Sequence, residues 1–327
     1  MRMNSRPLDG SVFLVTGGAG FIGSSLVDAL MSRGAEVHVL DNLSTGSLKN
    51  LEQWSTHPSL KFIRGDLLDQ AEANRAVQSC ETVFHLAANP EVRLSSVAPD
   101  IHFRQNVVAT YNLLEAIRRS GRPELLAFTS SSTVYGDAAK IPTPEDYAPL
   151  EPISIYGASK LASEALISAY AHTYGFKALI YRLANIIGPR SRHGVICDFV
   201  RKLKENPREL EILGDGTQAK SYLYIDDCVE AILFSMQKTG GPFDVFNLGS
   251  EDWVDVNTIA KIVVHEMGLE DAALRFTGGV DGGRGWKGDV KYMLLAIDKL
   301  KSLGWKPRFN SAEAVKVTAK AVLEGSD

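Results

Sequence analysis

An apolar run, VFLVT at residues 12–16, passes directly into TGGAGFIG, and the segment beyond it carries Phe21, Ile22, Leu26, Val27, Leu30 and Met31 at helical spacing. A strand that hands over to a helix through Gly17, Gly20 and Gly23 constrains this chain more than any other feature. Glycines at that spacing let the backbone approach a phosphate group, and the unpaired N–H groups of the following helix meet its charge. A glycine triplet by itself fits any tight turn; the strand before it and the helix after it give it meaning. Gly34 then stands where a helix ends, Glu36–Leu40 reads as a second strand, and one βαβ unit is complete.

The same alternation continues, with strands expected at Lys61–Arg64, Thr82–Leu86, Leu125–Ser130 and Ala178–Arg182 and long helices over about 100–119 and 156–174. The fold class is therefore α/β, a doubly wound parallel sheet. Beyond Arg182 the pattern loosens into loops rich in Gly, Pro and charge around 188–194 and 278–288, which reads as a smaller α/β lobe that contacts substrate. The expected organisation is a dinucleotide-binding domain over 8–183, rejoined by segments within 222–250, and a mainly substrate-binding lobe over 184–325. The two long helices carry apolar residues on more than one face, so one face is available for a homodimer.

Composition narrows the partners. The 327 residues are 45% hydrophobic and 23% charged, which excludes a disordered chain, and the net charge of −4 comes without like-charged blocks, against nucleic-acid or anionic-lipid binding. No apolar run approaches the roughly 20 residues of a membrane span, and the N-terminal run is too short for a secretory signal. Cys80, Cys197 and Cys228 have neither metal-ligand spacing nor an even count, pointing to free thiols in a reducing cytoplasm and to no metal. The expected partner is a small molecule.

Asp41 closes the second strand about 20 residues past the glycines, where a carboxylate accepts hydrogen bonds from both ribose hydroxyls of NAD and repels the 2′-phosphate of NADP. The alternative is that Asp41 only shapes the turn of DNLSTG. The other segments leaving strand ends complete the candidate NAD site: Phe21 and Ile22 beside the glycines, Asn42, Ser44, Thr45 and Gly46 behind Asp41, Asp66 and Leu67 in RGDL, and Leu86, Ala87 and Ala88 in HLAA. His85 reads as a packed strand residue.

Tyr156 and Lys160 in YGASK lie four residues apart, on one face of a helix. An ammonium and a positive nicotinamide ring beside a phenol are expected to pull its pKa from about 10 toward neutrality, making a general base. The serine run TSSSTVYG leaves the fifth strand at the same edge of the sheet and can offer a hydroxyl to the same substrate oxygen.

Taken together, TGGAGFIG, DNLSTG, RGDL, HLAA, SSSTVYG, YGASK, RLANIIGPR, GDGTQAKSYLYIDD, FNLGS and GDV with LGWKP resemble the extended short-chain dehydrogenase/reductase family, within it the NAD-dependent nucleotide-sugar epimerases of the UDP-glucose 4-epimerase type. The resemblance covers nearly the whole chain. It implies a Rossmann-type sheet and a nucleotide-sugar substrate, UDP-hexose foremost, interconverted between UDP-glucose and UDP-galactose through a transient 4-keto sugar and enzyme-bound NADH. It implies Tyr156 as base, Lys160 as its helper, Ser131 as hydroxyl partner, Ser132 as a substrate contact and Asn106 in support of the site.

Relatives that dehydrate or decarboxylate carry a carboxylate just before VYG, where this chain has Ser132 and Thr133, so elimination lacks its base. Asn185 resembles the asparagine near the diphosphate, and Val195, Ile196 and Phe199 are expected around the base. Two motifs depart from the family: Lys220-Ser221 replaces Arg-Asp, and Trp286-Lys287-Gly288-Asp289 replaces Arg-Pro-Gly-Asp. The diphosphate grip then falls to Arg284, Lys287 or Lys220 near Asp289, with Arg284 preferred. Met293 falls near the wall of the sugar 2-position and would tolerate a 2-acetamido group. UDP-glucuronate or UDP-N-acetylglucosamine 4-epimerisation, with Arg93 or Arg192 on a carboxylate in the former, a net oxidoreductase, and a non-catalytic nucleotide-binding module are the competing readings.

Overall fold

A computed structural model describes residues 10–325. The chain runs β1 (Val12–Thr16), α1 (Phe21–Met31), β2 (Glu36–Asp41), β3 (Leu60–Arg64), α2 (Gln70–Ala76), β4 (Thr82–His85), α3 (Pro99–His102), α4 (Ala109–Ser120), β5 (Leu125–Ser131), α5 (Ile155–Tyr174) and β6 (Lys177–Leu183). It continues through β7 (Asn185–Ile187), α6 (Val195–Glu205), β8 (Glu209–Ile212), β9 (Ala219–Lys220), β10 (Tyr222–Tyr224), α7 (Ile225–Lys238), β11 (Phe243–Leu248), β12 (Val254–Asp255), α8 (Val256–Glu266), β13 (Ala273–Phe276), β14 (Tyr292–Met293), α9 (Asp298–Ser302) and α10 (Ser311–Glu324).

Seven strands form one sheet in the order β11-β6-β5-β4-β1-β2-β3. From β1 the chain winds outward through β2 and β3, then returns to the other side of β1 with β4, so the strand order reverses between β1 and β4, and both neighbours pair with β1 in parallel. The glycine turn leaves the carboxyl end of β1 at that reversal, the place where open α/β sheets bind ligands. Branched and aromatic residues are buried along these strands: Leu14, Leu40, Val83, Leu126, Phe128 and Ile180 pack with Leu113 and Ile117 of α4 and Ile167 of α5.

The expected helix over about 100–119 runs unbroken from 99 to 120, but its middle is not α-helical. Residues Phe103–Val108 form a π-helical segment joining α3 to α4, and the carbonyl of Asn106 there accepts from Thr110 Oγ1 at 2.6 Å and Ser163 Oγ at 3.4 Å. Hydroxyls compete for a backbone acceptor, and the helix widens where they do so.

The chain divides into two compact units. The first comprises 10–130, Ala158–Tyr181 and Lys238–Val245; the second comprises Ser131–Gly157, Arg182–Gln237 and the chain from Phe246 on. This division differs from the expected 8–183 domain, because 131–157 joins the second unit and the returning piece is 238–245. Local contacts explain the transfer: Tyr135 Oη donates to Asn247 Oδ1 at 2.8 Å and accepts from Arg182 at 2.9 Å, while Thr143 bridges to Leu295. The second unit has its own core, with Ile196, Phe199 and Leu203 of α6, Ile259 and Val263 of α8, and Val315 of α10. It carries a small sheet in the order β12-β9-β14 and a parallel β7–β10 pair. Among the described residues no helix is long and apolar enough to cross a membrane.

Candidate active site

In the first unit the turn after β1 is closed by backbone. Gly17 sits at φ +72°, and a Cβ there would lie 2.8 Å from Cα and N of Ala87, so the HLAA segment packs directly on the turn. A Cβ on Gly23 would lie 2.2 Å from the carbonyl oxygen of Gly17, so helix α1 abuts the turn only because that carbon is missing. Gly20 caps α1 without a side-chain hydrogen bond, and no acidic residue occupies the first turn, which leaves the helix N-terminus, with Phe21 and Ile22, presented to an anion.

Asp41 is 8% exposed and its carboxylate accepts from Ala19 N at 3.0 Å and Leu43 N at 2.8 Å. It therefore does shape the DNLSTG turn, and it also fastens that turn to the glycine loop. Ala19 O accepts from Ser47 N at 3.0 Å and Asn50 Nδ2 at 2.8 Å, and Gly46 packs on Ala19. Asn42 Nδ2 donates to Asp66 Oδ2 at 3.1 Å, Asn42 Oδ1 accepts from Ser44 N at 2.9 Å, and Asp66 Oδ1 accepts from Leu68 N at 2.9 Å. Asn42, Ser44 and Asp66 are thus one network beside Asp41, along the ends of β2 and β3. Ala19 and Asn50, its anchors, escape sequence reading because an alanine and a loop asparagine carry no signature.

His85 is fully buried, with Nδ1 2.8 Å from Thr16 Oγ1 and Nε2 2.9 Å from Thr110 Oγ1, and burial holds its pKa down at about 3. Both nitrogens serve packing, as expected of a strand residue. Asn106 is spent within the protein too: Oδ1 accepts from Asn89 N at 2.9 Å and Nδ2 donates to Ser159 Oγ at 2.8 Å. It ties the loop after β4 to α5 one residue before Lys160. Lys160, 3% exposed, donates to Thr129 O at 2.9 Å over the Phe128 ring, and burial pulls it down to about 7.

In the second unit the Ser131 side chain faces the Tyr156 phenol and favours its ionised form. Thr133 supports Ser131 twice, through Oγ1 at 2.9 Å and its N–H at 3.2 Å, so Ser131 is aimed by its own turn. Gly157 lets α5 begin against this turn, since a Cβ there would lie 2.7 Å from Thr133 O. Loss of hydration pushes the phenol of the half-buried Tyr156 up to about 12, and the Ser131 hydroxyl opposes that rise.

Two of the three candidate basic residues of this unit, Lys220 and Arg284, are ion-paired. Lys220 Nζ meets Asp289 Oδ1 at 2.5 Å and lies 5.5 Å from the Trp286 ring, while Asp289, 3% exposed, also accepts from Gly285 N at 3.2 Å. Arg284 holds Asp137 with two bonds, at 3.1 and 2.8 Å, and donates to Asp289 O. Lys287 is exposed. Arg284 and Lys220 therefore converge on Asp289, the first through its carbonyl and the second through its carboxylate. Asn185 Nδ2 donates to Ser221 O at 3.3 Å. Ile196 and Phe199 belong to the core, a correction to their expected place around a base, because α6 turns those residues inward against α8 and α10; Val195 packs on the same core from its edge. Met293 is buried in β14 opposite Lys220.

A reversing parallel sheet, a bare phosphate turn with an acid at the end of β2, and a tyrosine one helical turn ahead of a buried lysine define an extended short-chain dehydrogenase/reductase. Residues 13–249 match the model of the NAD dependent epimerase/dehydratase family. A solved UDP-galactose 4-epimerase is 47% identical over 96% of this chain and 99% of its own, with a TM-score of 0.85. The UDP-glucose 4-epimerase of Thermotoga maritima, solved with UDP-glucose, is 34% identical over 97% and 100%, with a TM-score of 0.86. The UDP-glucose 4-epimerase of Mycolicibacterium smegmatis is 31% identical over 94% of this chain and 97% of its own. The chain belongs to the NAD-dependent epimerase/dehydratase family and is an NAD-dependent enzyme of the nucleotide-sugar class. Its residues fit that cofactor: no Cβ stands in the turn at Gly17 or Gly23, the N-terminus of α1 carries no side-chain cap, and a carboxylate, Asp41, closes β2 beside the turn.

Proposed function

We propose that this enzyme is a 4-epimerase of UDP-hexoses that interconverts UDP-glucose and UDP-galactose. The observation that carries the reading is the Ser131–Tyr156 hydroxyl pair, supported by Thr133 in a turn where no carboxylate stands at 132 or 133. Proton transfer at a carbinol needs one base and one hydrogen-bonding partner; abstraction of a carbon-bound proton needs a further base that this turn lacks. The likeness to UDP-galactose and UDP-glucose 4-epimerases supports the same reading.

NAD, which the glycine turn after β1 would hold, would supply the acceptor for the C4 hydride. Tyr156 takes the proton of the sugar 4-OH, and Ser131 bonds the same oxygen as it becomes a carbonyl. Lys160, one turn along α5, adds the positive charge that brings the phenol down from its burial-raised pKa. When the opposite face of the ketone is presented, the hydride that the cofactor would have taken from C4 would return to that face, Tyr156 returns the proton to the oxygen, and C4 is inverted. Lys220 and Arg284, organised by Asp289, receive the diphosphate, Arg284 by exchanging Asp137 for phosphate oxygens. The enzyme works as a homodimer in a reducing cytoplasm: α4 leaves Tyr111 exposed, and Cys80, Cys197 and Cys228 are free thiols.

The test is turnover by the enzyme as purified, without added cofactor, on UDP-galactose, UDP-N-acetylglucosamine, UDP-glucuronate and dTDP-glucose. UDP-galactose is expected to give UDP-glucose with the highest kcat/KM; a dehydrated product, or preference for another sugar, overturns the reading.

A further inference from the structure

Consecutive residues of β5 grip consecutive turns of α5. Thr129 O accepts from Lys160 Nζ at 2.9 Å, and the next residue, Ser130, donates its hydroxyl to Glu164 Oε1. Glu164 follows Lys160 by four residues, the spacing at which helix side chains are neighbours, and it is 6% exposed, so neither charge is hydrated. Two buried opposite charges on adjacent turns, each tethered to the same strand end, form a built pair. Burial by itself drives the Lys160 ammonium toward the neutral amine.

The surroundings of Lys160 make Glu164 decisive. Phe128 of β5 lies under the ammonium at 4.8 Å, His85 of β4 and His102 of α3 face it electrostatically, and Tyr156 lies one turn earlier on α5. His85 is neutral, burial holds His102 low as well, and a neutral imidazole compensates nothing. Within this set Glu164 is the group that favours the charged amine, against desolvation that disfavours it.

We propose that Glu164 is a positioning residue for the reaction: seated by Ser130, it is the fixed counter-charge that keeps Lys160 an ammonium, so that Lys160 can stabilise the Tyr156 phenolate. This rests on the functional reading above, which gives Tyr156 and Lys160 their roles. Removing the charge lets Lys160 shed its proton at lower pH, and the base is lost there.

The experiment is the kcat–pH profile of the NAD-loaded enzyme and of E164Q and E164D, beside a thermal-stability cycle of E164Q, K160M and the double variant. In E164Q the alkaline limb is expected to move down by at least about one pH unit, with KM for the UDP-sugar within twofold of the parent, whereas E164D keeps the limb near its original place. In the cycle the double variant is expected to be more stable than the two single losses added together, because it leaves no lone buried charge. An E164Q limb identical to the parent's, or an additive cycle, overturns the proposal. A fully active Tyr156→Phe variant would instead overturn the functional reading, and the stability cycle, which needs no turnover, would still decide the pairing of Lys160 with Glu164.

Discussion

In the first unit the groups that would face the nucleotide are mainly backbone. Gly17 and Gly23 work by what they lack, α1 offers bare N–H groups, and Asp41 is held by two amides. In the second unit the groups that would face the substrate are long charged side chains held by other side chains, Lys220 by Asp289 and Arg284 by Asp137. Backbone donors are set by the local run of residues and tolerate no added carbon. Side-chain donors are set by distant partners and can be exchanged, as Lys220-Ser221 and Trp286-Lys287 are in place of the commoner arginines. On the proposed reading, holding the dinucleotide thus rests on rigid backbone geometry, and holding the diphosphate of the substrate rests on exchangeable ion pairs.

The largest expected effect breaks the rigid side. Gly23→Ala puts a carbon 2.2 Å from Gly17 O and 2.8 Å from Gly18 Cα, so backbone must move; a loss of about 3 kcal/mol or more and of most NAD retained per chain is expected, read by urea unfolding and by cofactor content. Unchanged retention would mean that the turn is as adjustable as the second unit. A smaller effect is expected there. Lys220→Met leaves Asp289 buried with Gly285 N as its remaining partner and should cost about 3 kcal/mol or less, largely recovered in K220M/D289N, while KM for the UDP-sugar rises and NAD content stays constant. A matching loss of NAD would erase the distinction between the units.

The same contrast explains what the sequence discloses. Strands β1 to β6 fall within a residue or so of their expected bounds because each is a branched apolar run closed by a polar residue, and the glycine turn, Asp41 and the Tyr156–Lys160 spacing are local patterns. The two- and three-residue strands β9, β10 and β14 have no pattern of their own and exist through pairing at long range. Arg284 and Asp137 lie 147 positions apart, so no window of sequence could join them. The π-helical turn at Asn106 is a competition among hydroxyls for one carbonyl, invisible to helical periodicity. Glu164 was in reach, four residues past Lys160 on the same helix, but a carboxylate at that spacing is common on solvated faces, and only its burial sets it apart.

The account rests on a phenol acting as the base. The measurement that tests this most directly is kcat for UDP-galactose in Tyr156→Phe, with bound NAD and thermal stability recorded on the same sample. The expected result is a fall on the order of 10³-fold with cofactor content and stability unchanged; a kcat within tenfold of the parent, with NAD still bound, would contradict it.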